Sequence, residues 1–173
     1  MPYGITNAPA APGSGAGGAA DNGGAGGGLV RIEVRSAVHL EGSIIANGAN
    51  TMANGGGGGG SGGAIFIQCQ TFSGGTNGLL SANGGNGLGG ICGGGGGGRI
   101  AVWPGMPDQW RDRILAGQMP GGVTITDDWE NFQGTLSVTN GTGWRNPPDP
   151  DGAYPGTIVF LVPPPVGTVI SIR

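Results

Sequence analysis

Apolar and variable positions alternate in four glycine-led segments of this chain. Three return at a fixed step: Gly28-Leu29-Val30-Arg31-Ile32-Glu33-Val34, Gly63-Ala64-Ile65-Phe66-Ile67-Gln68-Cys69 and Gly98-Arg99-Ile100-Ala101-Val102-Trp103 begin 35 residues apart. A looser copy, Gly156-Thr157-Ile158-Val159-Phe160-Leu161, begins 58 residues after Gly98. Alternation with period two predicts strands. A fixed longer period predicts one supersecondary unit stacked on itself. Aligned on their glycines, the copies place Val30, Ile65, Ile100 and Ile158 in one column and Ile32, Ile67, Val102 and Phe160 in another. A parallel stack sets like over like in this way, so these columns are the expected core. The intervening columns (Arg31, Phe66, Ala101, Val159 and Glu33, Gln68, Trp103, Leu161) turn from polar to apolar along the chain. A second face is therefore expected to be open early and covered later, by an insertion or another subunit.

Each repeat continues with a second strand and a glycine tract. The second strands are Gly42–Gly48, Gly78–Gly84 and Gly134–Gly141, closing on Asn47-Gly48, Asn83-Gly84 and Asn140-Gly141. Asn and Gly tolerate positive φ, which a tight corner needs. Residues 104–133 break the period with an insertion that carries Trp110 and Trp129. Within it, Asp108–Ala116 predicts a short helix with Asp108 as N-cap and Gly117 after its end. The insertion is read either as a binding face or as a lid packing its tryptophans on the open strand face. Val162-Pro163-Pro164-Pro165-Val166 ends the stack, because proline cannot donate to a ladder. Thr168-Val169-Ile170-Ser171-Ile172 then alternates as a terminal strand, suited to fold back or to add to a neighbour's sheet edge.

The expected fold is all-β: a glycine-rich parallel β-solenoid, β-helix-like, with polyglycine II-like tracts and one insertion holding a short helix. An extended Pro/Ala/Gly arm spans 1–22, the solenoid 23–162 with its insertion at 104–133, and the break and terminal strand 163–173.

Composition tests that picture. Of 173 residues 44 are glycine and 13 proline, a content that without a strict G-x-y period usually means disorder. Here only 10% of residues are charged, and the apolar ones gather in alternating runs. Disordered chains show the opposite pattern. The formal charge is −3, with seven arginines and no lysine. No basic patch for nucleic acid is visible, and no apolar run is long enough for a transmembrane helix. Met1–Asn7 lacks the basic and apolar regions of a secretory leader, which reads as a mature or cut piece, or as export by another route.

Candidate chemistry is sparse. G-x-G-x-x-G recurs through composition alone, and a phosphate loop needs the lysine this chain lacks. His39 has no nucleophile elbow near it in sequence. Asp127, Asp128 and Glu130, and Asp149 with Asp151, read as solvated turn acids before they read as calcium ligands or glycosidase carboxylates. Cys69 and Cys92 are either two buried thiols or, outside the cell, one disulfide. No enzyme activity and no cofactor is expected.

The run Gly62-Gly63-Ala64-Ile65-Phe66-Ile67, Leu80-Ser81-Ala82-Asn83-Gly84-Gly85-Asn86-Gly87, and Gly93–Gly98 with Arg99-Ile100-Ala101-Val102 resembles the glycine-rich repeat modules of large bacterial secreted surface and adhesin-like proteins. The resemblance covers about residues 23–103 and 134–162. It implies a structural or adhesive role outside the cell or at its surface. Two functions follow as expectations. One is a structural subunit of an extracellular filament or surface layer, self-associating through Thr168, Val169, Ile170, Ser171 and Ile172. The other is a glycan- or receptor-binding adhesin module, from a larger surface or phage protein, using Trp110, Trp129, Trp144 and Tyr154.

Overall fold

The 35-residue step is a hydrogen-bond register. In the computed structural model, which describes residues 6–18, 23–51, 56–88, 92–143 and 153–165, the four glycine-led segments become β1 (Leu29–Glu33), β4 (Ala64–Cys69), β7 (Arg99–Pro104) and β10 (Thr157–Val162). They lie parallel in that order, with Val30 beside Ile65, Ile65 beside Ile100 and Ile100 beside Ile158. Two further sets of short strands stack in the same sense. β2 (Ala37–Leu40) pairs with β5 (Thr71–Gly74), and β3 (Ser43–Ile45) with β6 (Leu79–Ser81) and β9 (Thr135–Ser137).

The chain is nevertheless not a single all-β parallel solenoid. Its described residues form a mixed structure of three separate sheets and one α-helix, with both parallel and antiparallel pairing. The insertion is the cause. It contributes α1 (Asp108–Leu115) and β8 (Thr124–Thr126), and β8 runs antiparallel to β10 with Phe160 opposite Thr126. The largest sheet is therefore ordered β1-β4-β7-β10-β8. Each of the first two repeats also holds three short strands where the sequence suggested two.

Both faces of the five-stranded sheet are buried at its centre. On one face Ile65, Ile67, Ile100, Val102 and Phe160 meet Phe72, Leu80 and Phe132. On the other, Phe66, Ala101, Trp103 and Leu161 are covered by Ile114 of α1, by Met106 and by Ala8 from the N-terminal arm. The arm is anchored there by Trp103 Nε1, which donates to the Asn7 carbonyl at 2.7 Å. The insertion is thus a cover for the second face, and each large side chain so buried contributes roughly 1.5–3 kcal/mol. Its two tryptophans part company, however. Trp110 packs on this face, whereas Trp129 lies on the opposite one, stacked on Phe160 at 5.8 Å with its Nε1 donating to the Phe72 carbonyl at 2.9 Å.

Helix α1 starts after Pro107, which occupies the N-cap position without a side-chain hydrogen bond; Asp108 is the first helical residue and not the cap. Its end is a Schellman turn. Gly117, at φ +78°, donates to the Ile114 carbonyl, and Gln118 donates to that of Arg113. Arg111 ties the helix to β1 through Glu33 at 2.7 Å.

The glycine tracts form a layer of their own. Within 58–63, the N–H groups of Gly58 and Ser61 go to Gly17 and Ser14. Those of Gly59 and Gly62 go to Gly93 and Gly96, and those of Gly60 and Gly63 to Ala49 and Ala46, all at 2.7–3.1 Å. Each neighbour is addressed every third residue, the repeat of an extended helix with three residues per turn. The carbonyls of Gly58 and Ser61 accept from Gly24 and Gly27, and that of Gly60 accepts from Gly85. One extended segment is thereby bonded to neighbours on several sides, which only bare backbones can approach closely enough to allow.

The Asn-Gly pairs serve this layer for a different reason than corner geometry. Among the described glycines, positive φ occurs at Gly56, Gly105, Gly117 and Gly122, not at Gly48, Gly84 or Gly141. The asparagines form ladders between rungs. Asn47 Oδ1 accepts from Asn83 N and Ser81 Oγ, both at 2.7 Å, and Asn83 Oδ1 accepts from Thr139 N and Ser137 Oγ at 2.8 and 2.7 Å. A second ladder links Asn50 to Asn86 N and Asn86 to Thr142 N.

Close packing predicts a contrast between two substitutions. A Cβ on Gly60 would collide with the Ala25 carbonyl, whereas one on Gly93 meets nothing within 4 Å. Gly60→Ala is expected to lower stability by about 2–3 kcal/mol. Gly93→Ala is expected to be neutral or to stabilise by about 0.4–1 kcal/mol, because it restricts the unfolded chain. Urea unfolding midpoints measure both, and equal midpoints would contradict the packing described.

Candidate functional site

Two features stand out from the stack: an unpaired edge at its first rung, and a groove along the strand ends. The edge belongs to β1, β2 and β3, each of which is terminal in its sheet. Gly28 O accepts from Ala64 N, and Val34 N donates to Gln68 O, so alternate residues between them carry the ladder to β4. Leu29, Arg31 and Glu33 direct their backbone groups the other way, and no described strand pairs with them. Apolar side chains are exposed along this rung: Leu29 at 40%, Val34 at 37% and Ile45 at 54%. Arg31 lies over the Phe66 ring at 4.6 Å and pairs with Glu33, so the border carries charged as well as apolar side chains. The far side of the sheet differs, because β8 covers β10 there.

The groove follows the C-terminal ends of β1, β4, β7 and β10. It consists of three adjoining cavities of about 400, 360 and 520 Å³. The first two share Val34, Arg35, Gln68 and Asp108, and the second and third share Gln70 and Gly105. Gln68 is 8% exposed and its Oε1 has no hydrogen-bond partner. Buried polar atoms are nearly always satisfied, so this one calls for an explanation.

The residues singled out from the sequence are dispersed. Trp110 and Trp129 sit on opposite faces of the five-stranded sheet, and Tyr154 belongs to the glycine layer, its carbonyl accepting from Gly97 N. Trp144, Asp149, Asp151 and Thr168–Ile172 lie outside the described residues. A joint aromatic surface of Trp110, Trp129 and Tyr154 is therefore not formed. Trp129 alone lines the groove, with Gln70 and Asn131 beside it. Sequence reasoning missed these two amides and Gln68. The available signal was Gln68 itself, a polar residue inside the buried strand β4.

Cys69 and Cys92 are both free and buried, so the disulfide alternative is not formed. They belong to different packed regions: Cys69 to the core beside Phe72, Cys92 to the glycine layer. Burial pushes the Cys69 thiol up to about 11, against a smaller lowering by a backbone hydrogen bond at Val38. It stays protonated and unreactive near neutral pH.

The register also aligns three polar side chains. His39 Nδ1 lies 2.9 Å from Ser73 Oγ, its rung partner, and His39 Nε2 lies 2.9 Å from Glu41 Oε1. The ring is reversed relative to serine hydrolases, where the hydroxyl meets Nε2. Its side chain and that of Glu41 are more than half exposed, so the contact carries little energy. Asp128 accepts from the Trp129 backbone N–H in its turn. No described helix is long and apolar enough to cross a membrane.

Comparison with protein-family profiles, curated proteins and solved structures returned no match.

Thiol titration checks the cysteine assignment. Without reductant, the protein is expected to show two reactive thiols per chain in denaturant and almost none when folded near neutral pH. A denatured count of zero would mean that the two are bonded.

Proposed function

We propose that this chain is a structural subunit of an extracellular filament or surface layer, assembling with copies of itself by strand addition. The observation that supports this most is the unpaired outer edge of β1 beside the exposed Leu29, Val34 and Ile45. Edge strands with free backbone groups and apolar flanks are templates for further strands, and monomeric proteins usually cover or distort them. Here no described strand pairs with the outer edge of β1, and the N-terminal arm bonds to the glycine tract before it, through Gly13 N to Gly27 O and Ala16 N to Gly24 O.

The occupant of that edge is the terminal segment of another copy. Thr168-Val169-Ile170-Ser171-Ile172 alternates, is rich in β-branched residues and follows a proline run that cannot join a ladder. Main-chain bonds to Leu29, Arg31 and Glu33 would supply affinity, and the alternate side chains would set the register. Because donor segment and acceptor edge are different parts of the chain, the contact is head-to-tail and propagates. A role in scaffolding, with no reaction of its own, suits a chain whose glycines are spent on packing. Placement outside the cell or on its surface is part of the same reading, as is the kinship with glycine-rich surface modules.

Electron microscopy and sedimentation velocity test it. The full chain is expected to form uniform fibres at micromolar concentration, and deletion of residues 166–173 to leave a monomer. Leu29→Pro removes one outward N–H without touching the ladder to β4, and is expected to abolish fibres with unchanged circular dichroism. Fibres of unchanged length from the deletion, or a full chain that stays monomeric, would overturn the proposal.

A further inference from the structure

The groove along the strand ends meets the outer edge of β1 at Glu33 and Val34 and runs away from it, and its chemistry changes along its length. At one end it is polar, with Arg35, Gln68 and Asp108 at the start of α1. At the other it is largely apolar, lined by Trp129, Val162 and Pro163 together with the amides of Gln70 and Asn131. Two observations point to an occupant. The first is the Trp129 ring, which Phe160 holds from one side and the Phe72 carbonyl fixes through Nε1. A half-buried indole locked in this way presents a flat apolar surface at little entropic cost. The second is Gln68, which lines the polar end and whose Oε1, closed to solvent in this rotamer, has no donor; a turn of the side chain brings it to the groove. A bound group carrying O–H or N–H would satisfy it.

The charges in the groove narrow the choice. Glu33 is held by Arg111, and Arg35 stands with Asp108 and Asp112 along the same wall, three carboxylates against two guanidiniums, so the net charge is small and negative. A strongly anionic ligand would be repelled on balance, and a strongly cationic one would meet two arginines among the carboxylates. A neutral ligand with flat apolar faces and many hydroxyls fits both ends. We propose that this groove binds an extended neutral oligosaccharide, with one sugar ring against Trp129 and a hydroxyl further along the chain donating to Gln68 Oε1. Gln70 lies where the second and third cavities meet and contacts the rings between. The site takes a chain and not a single sugar, because the two features that demand a ligand belong to different cavities.

Equilibrium dialysis of the full chain against labelled hexasaccharides of neutral glucan, xylan, mannan, galactan and chitin tests this, with sulfated and uronic-acid hexasaccharides alongside. At least one neutral hexasaccharide is expected to bind, with its monosaccharide weaker by about tenfold or more. Trp129→Ala and Gln68→Leu are each expected to weaken binding by about tenfold. The exposed pair Gln70→Ala with Asn131→Ala is expected to weaken it severalfold without the risk of unfolding, and Tyr154→Ala to leave it unchanged. Retention of charged hexasaccharides only, no retention of any neutral one at millimolar concentration, or binding indifferent to Trp129 and to the Gln70/Asn131 pair would each overturn the proposal.

Discussion

Backbone-to-backbone hydrogen bonding between extended glycine segments is the constraint on which this structure rests. Each glycine ordered in such a segment costs roughly 0.5–1 kcal/mol relative to alanine. The layer offsets that cost only because the N–H groups of 58–63 all find carbonyls, turning to a new neighbour at each residue and returning every third. The requirement is steric before it is energetic. A side chain on Gly60, Gly95 or Gly141 would meet a carbonyl of the adjoining segment. The glycine tracts are thus the most specified part of the sequence, although by composition they look the least so.

The sheets depend on the layer for their alignment. Successive glycine segments end beside one another, so the strands that follow begin in register, with Ala64 N bonded to Gly28 O and Arg99 N to Gly63 O. The asparagine ladders fix the other end of the layer in the same way, where Asn47 and Asn83 each accept from the rung above. Once the strands are aligned, their apolar columns coincide and two cores form on the faces of one sheet. The insertion then adds what the repeats lack: α1 covers the second face, and β8 pairs with β10 and becomes the outer strand on that side. Both proposals of function concern surfaces outside these pairings, the first rung and the groove at the strand ends.

Much of this was legible in the sequence, for identifiable reasons. The columns through Val30, Ile65, Ile100 and Ile158 are strand partners because a parallel register maps a sequence period directly onto space. Helix α1 announced itself by its stop, Gly117. The remainder was hidden where local signals underdetermine tertiary placement. Nothing near Trp129 says on which face of the sheet it will lie, since that depends on the path of β8. The antiparallel pairing of β8 turned an expected solenoid into a mixed fold, and three residues, Thr124–Thr126, carry too short a pattern to reveal it. The Asn-Gly pairs stand out in the sequence, but corner geometry is not their cause: the asparagines bond between rungs, and the glycines make room for a neighbouring carbonyl. The groove was invisible because its residues come from four strand ends, β5 and the insertion, which only the folded stack brings together.

Amide hydrogen exchange, residue by residue, tests the central claim most directly. If the glycine layer is a hydrogen-bonded lattice, the amides of Gly59, Gly60 and Gly62 will be protected to the same degree as those of Ile65 and Ile67 in β4, and will be released with them in one cooperative unfolding step. If those glycine amides exchange at the rate of a free chain while the strands stay protected, the layer does not hold the fold, and the strands align without it.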